Sequence, residues 1–442
     1  MKLFKPKIFF TVLTCILSII SCSGDNQTEK EEPTDPSSTK PNILLIIADD
    51  MGIDASPGYG IGSVKPNMPI LQSMISNGVL YENVWSNPTC SPTRASIITG
   101  KYGFRTNVKK VGDQLSLGET SLQQYITNNT NSAYQQAVIG KWHLSTSETH
   151  ANDMGIEYFA GFIRGGVPSY TDWDLSINGN ITSSSEYTTT KFTDLAIDWV
   201  ADQTKPWFLW LAYNAPHTPF HLPPTNLHSQ GNLPTDQASI DSNTLPYYMA
   251  MLEAMDTEVG RLLSSMSETE RENTIIIFIG DNGTPSQVVQ EYGRQRAKST
   301  IYEGGIHVPM VVSGKGVTRK NSLESSLINA SDIFATIVDI AETGTTEIND
   351  SKSFKSTFTT NSFLGREYIY SEIELDSGGT DRTIRNSTHH LLLFADGTKE
   401  MYQLLNDPLE ATNLLDANGS GINSSDEIIK NQLETALVTL NN

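Results

Sequence analysis

The sequence predicts an α/β fold: a doubly wound, mostly parallel sheet flanked by helices, with a small antiparallel α+β subdomain at its C-terminal end. Three observations carry this. Asn42-Ile43-Leu44-Leu45-Ile46-Ile47 and Thr274-Ile275-Ile276-Ile277-Phe278-Ile279 are unbroken apolar runs, as strands must be when both faces of a parallel sheet are covered. Between such runs lie stretches of helical spacing: Phe192, Leu195, Ala196, Trp199 and Val200 fall at i, i+3, i+4, i+7 and i+8 and make one apolar face. Beyond residue 346 the pattern changes to short strands over 367–373, 388–394 and 400–405, with Ala395-Asp396-Gly397 as a hairpin link and a closing helix over 427–440.

The chain divides into four stretches. Residues 1–22 read as an export signal, because Lys2, Lys5 and Lys7 precede an apolar run too short to span a bilayer. Ile19-Ile20-Ser21-Cys22 resembles a bacterial lipobox, which implies lipidation of Cys22 and a lipoprotein facing the periplasm or the cell surface; a plain secretory cleavage nearby is the alternative. Residues 23–40 lack aromatic and branched aliphatic side chains and read as a disordered tether. Residues 41–345 form the main domain and 346–442 the C-terminal subdomain.

Within the main domain, 69–77 is a short amphipathic helix, 79–85 and 136–139 are strands, and 207–213 is a further buried strand. A long helix covers 247–266, followed by a strand over 308–312 and a helix over 332–341. Alternation of strand and helix at this spacing indicates the doubly wound sheet. Residues 152–190, rich in Gly, Ser, Thr, Asn and Tyr, read as an elaborated loop suited to a lid or substrate wall.

Formal charge is −20 over 442 residues, and no Lys/Arg-rich run is present, which excludes a nucleic-acid partner. An anionic substrate must then be drawn in by local positive charge. Of three cysteines, Cys15 lies in the signal and Cys22 would carry lipid. Cys90 is the thiol that remains, with no intrachain disulfide partner.

Cys90 opens the run Cys90-Ser91-Pro92-Thr93-Arg94-Ala95-Ser96-Ile97-Ile98-Thr99-Gly100. It reads as a loop turning into a short helix, with Ser91 as N-cap, Pro92 at the first helical position and Gly100 as the stop. Cys90 then sits at the positive end of a helix with Arg94 one turn along. Such a position binds anions and lowers a thiol pKa, so the expectation is a reactive cysteine beside an anion site.

Asp49-Asp50 and Asp281-Asn282 each close a buried apolar strand. Strand ends of one sheet converge on one edge, so three carboxylates and an amide meet there and describe a hard-cation site, Ca²⁺ or Mg²⁺. Arg94, Lys141, His143, His217 and Lys298 add donors with apolar or proline neighbours. A metal and several donors around one nucleophile is what a tetrahedral oxyanion ester requires.

These segments resemble, in order, those of the formylglycine-dependent sulfatases of the alkaline phosphatase superfamily: 41–50, 90–100, 140–144, 214–219, 280–283 and 298–309, with a tail over 400–414 like that family's closing subdomain. The resemblance implies that Cys90 is oxidised to formylglycine (3-oxoalanine) by a maturation enzyme. It implies that Asp49, Asp50, Asp281 and Asn282, with residue 90, bind one calcium ion. Arg94 and His143 would hold the aldehyde hydrate, Lys141 and Lys298 the sulfate, and His217, with Lys298, would protonate the leaving alcohol. One departure stands out: His307 occupies the position where the family has Arg.

The implied activity is hydrolysis of sulfate monoesters on a sulfated polysaccharide or its oligosaccharides. The glycan expectation rests on the export signal, the tether and the aromatic residues over 158–173, which suit sugar stacking. A phosphodiesterase or phosphonate monoesterase of the same superfamily, and an inactive glycan-binding lipoprotein, are the competing readings.

Overall fold

The computed structural model describes residues 40–361, 365–416 and 422–440. The signal, the lipidation site at Cys22 and nearly all of the tether lie outside the described residues. No described helix is long and apolar enough to cross a membrane.

Ten strands form one sheet: β1 (Asn42–Ala48), β2 (Gly78–Trp85), β3 (Gln135–Lys141), β4 (Tyr158–Phe162), β5 (Trp173–Ile177), β6 (Asn180–Ser184), β7 (Trp207–Ala212), β8 (Thr274–Gly280), β9 (Met310–Gly314) and β10 (Ser322–Asn329). Their spatial order is β10-β2-β9-β8-β1-β7-β3-β4-β5-β6. The five central strands β8, β1, β7, β3 and β4 are mutually parallel, while β9 runs antiparallel to both β8 and β2.

The period of two along β1 divides the core. Leu44, Ile46 and Ala48 face helices Pro69–Ser76, Thr188–Ala201 and Leu245–Ser265. Ile43, Leu45 and Ile47 face helices Cys90–Thr99, Leu122–Asn129 and Asp332–Ile340. Every residue of β1, β7 and β8 is buried, which accounts for their unbroken apolar runs.

The C-terminal strands Ile369–Glu374, Thr380–Arg385, His389–Leu393 and Lys399–Gln403 make a four-stranded antiparallel sheet closed by helix Ser424–Leu440. The strand Thr380–Arg385 has no clear sequence signal, because its Thr-Asp-Arg start hides the apolar alternation. Phe354 and Phe358 pack with the main core, ahead of that sheet.

Residues 152–190 need a correction. They contribute β4, β5 and β6, and Phe159, Phe162, Tyr170, Trp173 and Leu175 are buried. Gly, Ser and Thr dilute the pattern there, since β5 and β6 are short antiparallel strands on an edge and bury only part of their side chains.

One contact between helices carries a pH dependence. Asp256, on helix Leu245–Ser265, accepts hydrogen bonds from the free N–H groups of Ile70 (2.9 Å) and Leu71 (2.8 Å) at the start of helix Pro69–Ser76. Burial raises its carboxyl from 3.8 to about 6, against those two donors. The folded value lies above the unfolded one, so protonation favours the fold. That contribution is complete below about pH 4 and is lost as pH rises through 6. Between pH 7 and 4 the wild type should gain roughly 2–3 kcal/mol relative to Asp256→Asn, read by urea denaturation at both pH values.

Candidate active site

The C-terminal ends of four neighbouring parallel strands deliver the site residues. β8 ends in Asp281 and Asn282, β1 in Asp49 and Asp50, β7 leads to His217, and β3 ends at Lys141 with His143 beyond it. Close strand approach is built in: at Gly140 (φ +106°) an added Cβ would lie 1.9 Å from the Ala212 carbonyl oxygen. Asp50 and His143 hold left-handed backbone, φ 72° and 58°, unusual for residues with a Cβ.

Helix Cys90–Thr99 runs in from the facing layer. It starts two residues earlier than its sequence suggests, with Thr89 rather than Ser91 as N-cap and Cys90 rather than Pro92 as first residue, and Gly100 closes it in left-handed conformation. Ser91 is therefore inside the helix, and its buried hydroxyl makes no hydrogen bond among the described residues. Cys90 is 1% exposed.

Burial raises the Cys90 thiol pKa and outweighs the nearby ammonium groups of Lys141 and Lys298. This corrects the expectation of a thiolate activated by the helix end. An enclosed sulfur pays a desolvation penalty on ionising that the first helical turn does not offset.

Around the sulfur, cations and carboxylates pair. Lys141 Nζ lies 2.5 Å from Asp49 Oδ2 and 3.4 Å from Cys90 Sγ. Arg94 donates to Asp281 Oδ2 from Nε (3.1 Å) and Nη2 (2.8 Å), and from Nη1 to the Lys141 carbonyl (2.7 Å). Lys298 Nζ lies 2.5 Å from Asp50 Oδ1, and His217 Nε2 lies 3.9 Å from Asp50 Oδ2. His143 feels the charges of Lys141, Arg94 and Lys298. The charged and imidazole positions inferred from the sequence, with Cys90 and Asn282, thus share one cluster around Asp49 and Asp50.

The carboxylates crowd each other. Burial, then Asp49, raises Asp281 to about 7 in spite of Arg94. Asp50 goes the other way: burial opposes ionisation, but Lys298, His217 and Lys141 hold it well below the usual carboxylate range. Burial, reinforced by Lys141 and Arg94, lowers His143 to about 2 and keeps it neutral. Burial also lowers His217, with Lys141 adding to it and Asp50 opposing.

Two oxygens are left over. Asp49 Oδ1 and Asn282 Oδ1 are buried without a hydrogen-bond partner among the described residues. Ligand atoms of Asp49, Cys90 and Asp281, and separately of Asp49, Asp50 and His217, lie within 4.8 Å of one another. Orphaned oxygens among converging carboxylates fit a hard cation, which takes oxygen ligands.

Residues 41–343 match the family model described as Sulfatase. The chain belongs to the sulfatase family. Similar proteins include the uncharacterized sulfatase YdeN of Escherichia coli (29% identical, covering 69% of this chain and 63% of that protein) and arylsulfatase J of Mus musculus (27%, covering 71% and 54%). This sulfatase therefore spans less than two thirds of the length of these two relatives. Among solved structures, Ps i-CgsB in complex with k-i-k-neocarrahexaose superposes with TM-score 0.77 at 21% identity, covering 91% of this chain and 92% of that one. A protein in complex with its substrate D-glucosamine-2-N,6-O-disulfate superposes with TM-score 0.74 at 19% identity, covering 91% and 98%. These likenesses establish the fold, including the mostly parallel sheet and the antiparallel C-terminal sheet.

Two features of this sulfatase leave no mark in its sequence. Tyr170, 3% exposed, directs its hydroxyl at the carbonyls of Asn214 (2.7 Å) and His217 (2.6 Å), fixing the turn that presents His217. His150 accepts from the Trp142 indole N–H (3.1 Å) at Nδ1, so its Nε2 donates to the Leu115 carbonyl (2.8 Å); this braces the Lys141–His143 segment from behind. Neither residue has a local signal, since the carbonyls they bind, Leu115 for His150 and Asn214 and His217 for Tyr170, lie in other parts of the chain.

His307, the departure from the family pattern, lies away from the cluster. Its Nδ1 is 2.6 Å from Glu303 Oε2 and its Nε2 is 2.8 Å from the Glu82 carbonyl, while Arg385 of the C-terminal sheet reaches Glu303 Oε1 at 3.3 Å. It serves the seam between the two sheets.

Proposed function

We propose that this sulfatase hydrolyses sulfate monoesters on a sulfated polysaccharide or its oligosaccharides, using formylglycine at position 90 and one calcium ion. The observation that carries this is the buried cluster in which Asp49, Asp281 and Cys90 offer ligand atoms within 4.8 Å of one another, with Lys141 against the sulfur. The thiol would be oxidised by a maturation enzyme, with a two-electron oxidant such as dioxygen and the sulfur leaving as sulfide, to an aldehyde whose hydrate would supply the attacking hydroxyl. Asp49, Asp50, Asp281 and Asn282 would hold calcium, which when bound would supply positive charge beside the sulfate ester.

The remaining roles rest on protonation states and partners. Lys141 and Lys298 exchange their carboxylate partners for sulfate oxygens when substrate and cation are bound. Arg94 stays with Asp281 and the Lys141 carbonyl and holds both in place. His143 is neutral and its Nδ1 has no partner among the described residues, so it can accept a hydrogen bond from a hydroxyl on residue 90. His217 Nδ1 faces the Thr218 carbonyl at 2.8 Å and carries the hydrogen there. Its Nε2 is then the nitrogen that passes a proton to the departing alcohol. Burial lowers its pKa, which makes the protonated form a stronger acid.

Among the described residues the two candidate ligand groups share Asp49, which suits one cation rather than the two of a metallophosphodiesterase. The oligosaccharide and the disulfated glucosamine held by the two solved relatives support a glycan substrate. The leader and Cys22 support an exported, lipid-anchored enzyme whose tether lets the site reach polymeric substrate.

Peptide mass analysis after co-expression with a maturation enzyme tests the modification; intact Cys90 thiol with full sulfate release would refute it. Chelation by EGTA should stop sulfate release, and calcium rather than zinc should restore it. Tyr170→Phe should lower kcat about tenfold with KM little changed, because His217 loses the anchor of its turn and two buried carbonyls lose their donor, on the order of 1–3 kcal/mol. An unaltered kcat would remove Tyr170 from the positioning role.

A further inference from the structure

A fifth parallel strand end reaches the cluster, and it carries a cation the reaction above does not use. β4 lies beside β3 and parallel to it, so its C-terminal end falls on the same edge as those of β8, β1, β7 and β3. The chain leaves β4 through Ile163-Arg164-Gly165-Gly166. The His143 N–H donates to the Ile163 carbonyl at 2.9 Å. A Cβ added at Gly165 would lie 2.6 Å from His143 Nε2, and one at Gly166 would lie 3.4 Å from the His217 ring. This loop therefore packs against both histidines of the site.

The loop is held firmly. Tyr170 ties it to the His217 turn, and Ser169 and Asp172 bridge across its far end. Its aromatic side chains face inward: Tyr170 is 3% and Trp173 2% exposed. They leave no platform for sugar stacking, contrary to the expectation from sequence. Arg164 is the exception, exposed to solvent and, among the described residues, without a hydrogen bond or ion pair. By contrast Arg94, Lys141 and Lys298 are each bound to a carboxylate.

We propose that Arg164 is a specificity residue that binds a second anionic group, a sulfate or carboxylate, on the sugar next to the ester that is cleaved. The proposal rests on the sulfatase reading above and names the substrate class more narrowly. A guanidinium suits both groups because its planar fork makes paired hydrogen bonds to two oxygens. In a chain of net charge −20, a free cation at the rim also supplies the local field that a polyanion needs in order to approach.

The test uses matured full-length enzyme on two matched pairs, a disaccharide with one or two sulfates and a sulfated disaccharide with a neutral or a uronate neighbour, with 4-nitrophenyl sulfate as reference. The wild type should prefer the doubly anionic member of at least one pair. Arg164→Ala should reduce that kcat/KM ratio on the order of 10- to 100-fold, mainly through KM, and Arg164→Lys should restore part of it. The arm that responds separates sulfate from carboxylate recognition. No preference in either pair, or a ratio unchanged by Arg164→Ala, would overturn the proposal. Cleavage of 4-nitrophenyl sulfate without either saccharide would overturn it, together with the glycan substrate proposed above, while leaving sulfate-ester hydrolysis itself intact. Inactivity on every ester, with residue 90 shown to be modified, would overturn that reading itself.

Discussion

Replacing Cys90 with alanine should reduce sulfate release by about 10⁵-fold or more, the scale on which removing a nucleophile operates. The fold should survive. Cys90 contributes one small buried side chain whose sulfur contacts Lys141 at 3.4 Å, and alanine keeps the helix and leaves Asp49 paired with Lys141. A loss of about 1 kcal/mol or less in stability is expected, the cost of a small cavity. Circular dichroism and thermal unfolding check the fold, and ion chromatography of released sulfate checks turnover. Residual turnover near the wild-type level would remove residue 90 from the chemistry. Cys90→Ser should fail nearly as badly, since a single hydroxyl would retain the sulfate as a stable ester.

Asp281→Ala should damage both activity and stability, unlike Cys90→Ala. Asp281 Oδ2 takes two hydrogen bonds from Arg94, and Oδ1 accepts the Asp50 N–H at 3.0 Å. Arg94 is fully buried, so truncation leaves a guanidinium without its carboxylate, at a cost of roughly 3–5 kcal/mol. The variant should also lose its response to calcium. Saturating ion, at about 100 times its Kd, should stabilise the wild type by ~2.7 kcal/mol and Asp281→Ala by far less. Sulfate release should fall by about 10³-fold or more, combining the lost ligand with a displaced Arg94. Thermal unfolding with and without calcium reads both effects. A variant that keeps the wild-type calcium response would place the cation elsewhere.

The features legible in the sequence share a physical basis. β1, β7 and β8 announce themselves because a strand covered on both faces has no polar alternation to blur the pattern. Asp49-Asp50 and Asp281-Asn282 stand out because carboxylates seldom close such runs without a reason. The features that sequence misreads need information the local chain does not hold. The Cys90 thiol looks activated by its helix, but its pKa is set by enclosure, which depends on strands and helices far away in sequence. The aromatics over 158–173 look like a sugar platform, yet Phe159, Phe162, Tyr170 and Trp173 are turned into the core and Tyr158 is half-buried against it. Tyr170 and His150 carry no motif at all, because each acts on a backbone carbonyl supplied by a distant segment.

By itself the sequence determined the fold class, the acidic strand ends, the donors gathered around Cys90 and the family they belong to, because periodicity and motif spacing are local properties. Tertiary structure decided that Lys141, Lys298 and Arg94 are each held by a carboxylate, that the cysteine is buried and neutral, and that Arg164, on the loop that packs against the histidines, has no partner among the described residues. Pairing and desolvation depend on which side chains the sheet brings within a few ångströms, and no single segment encodes that.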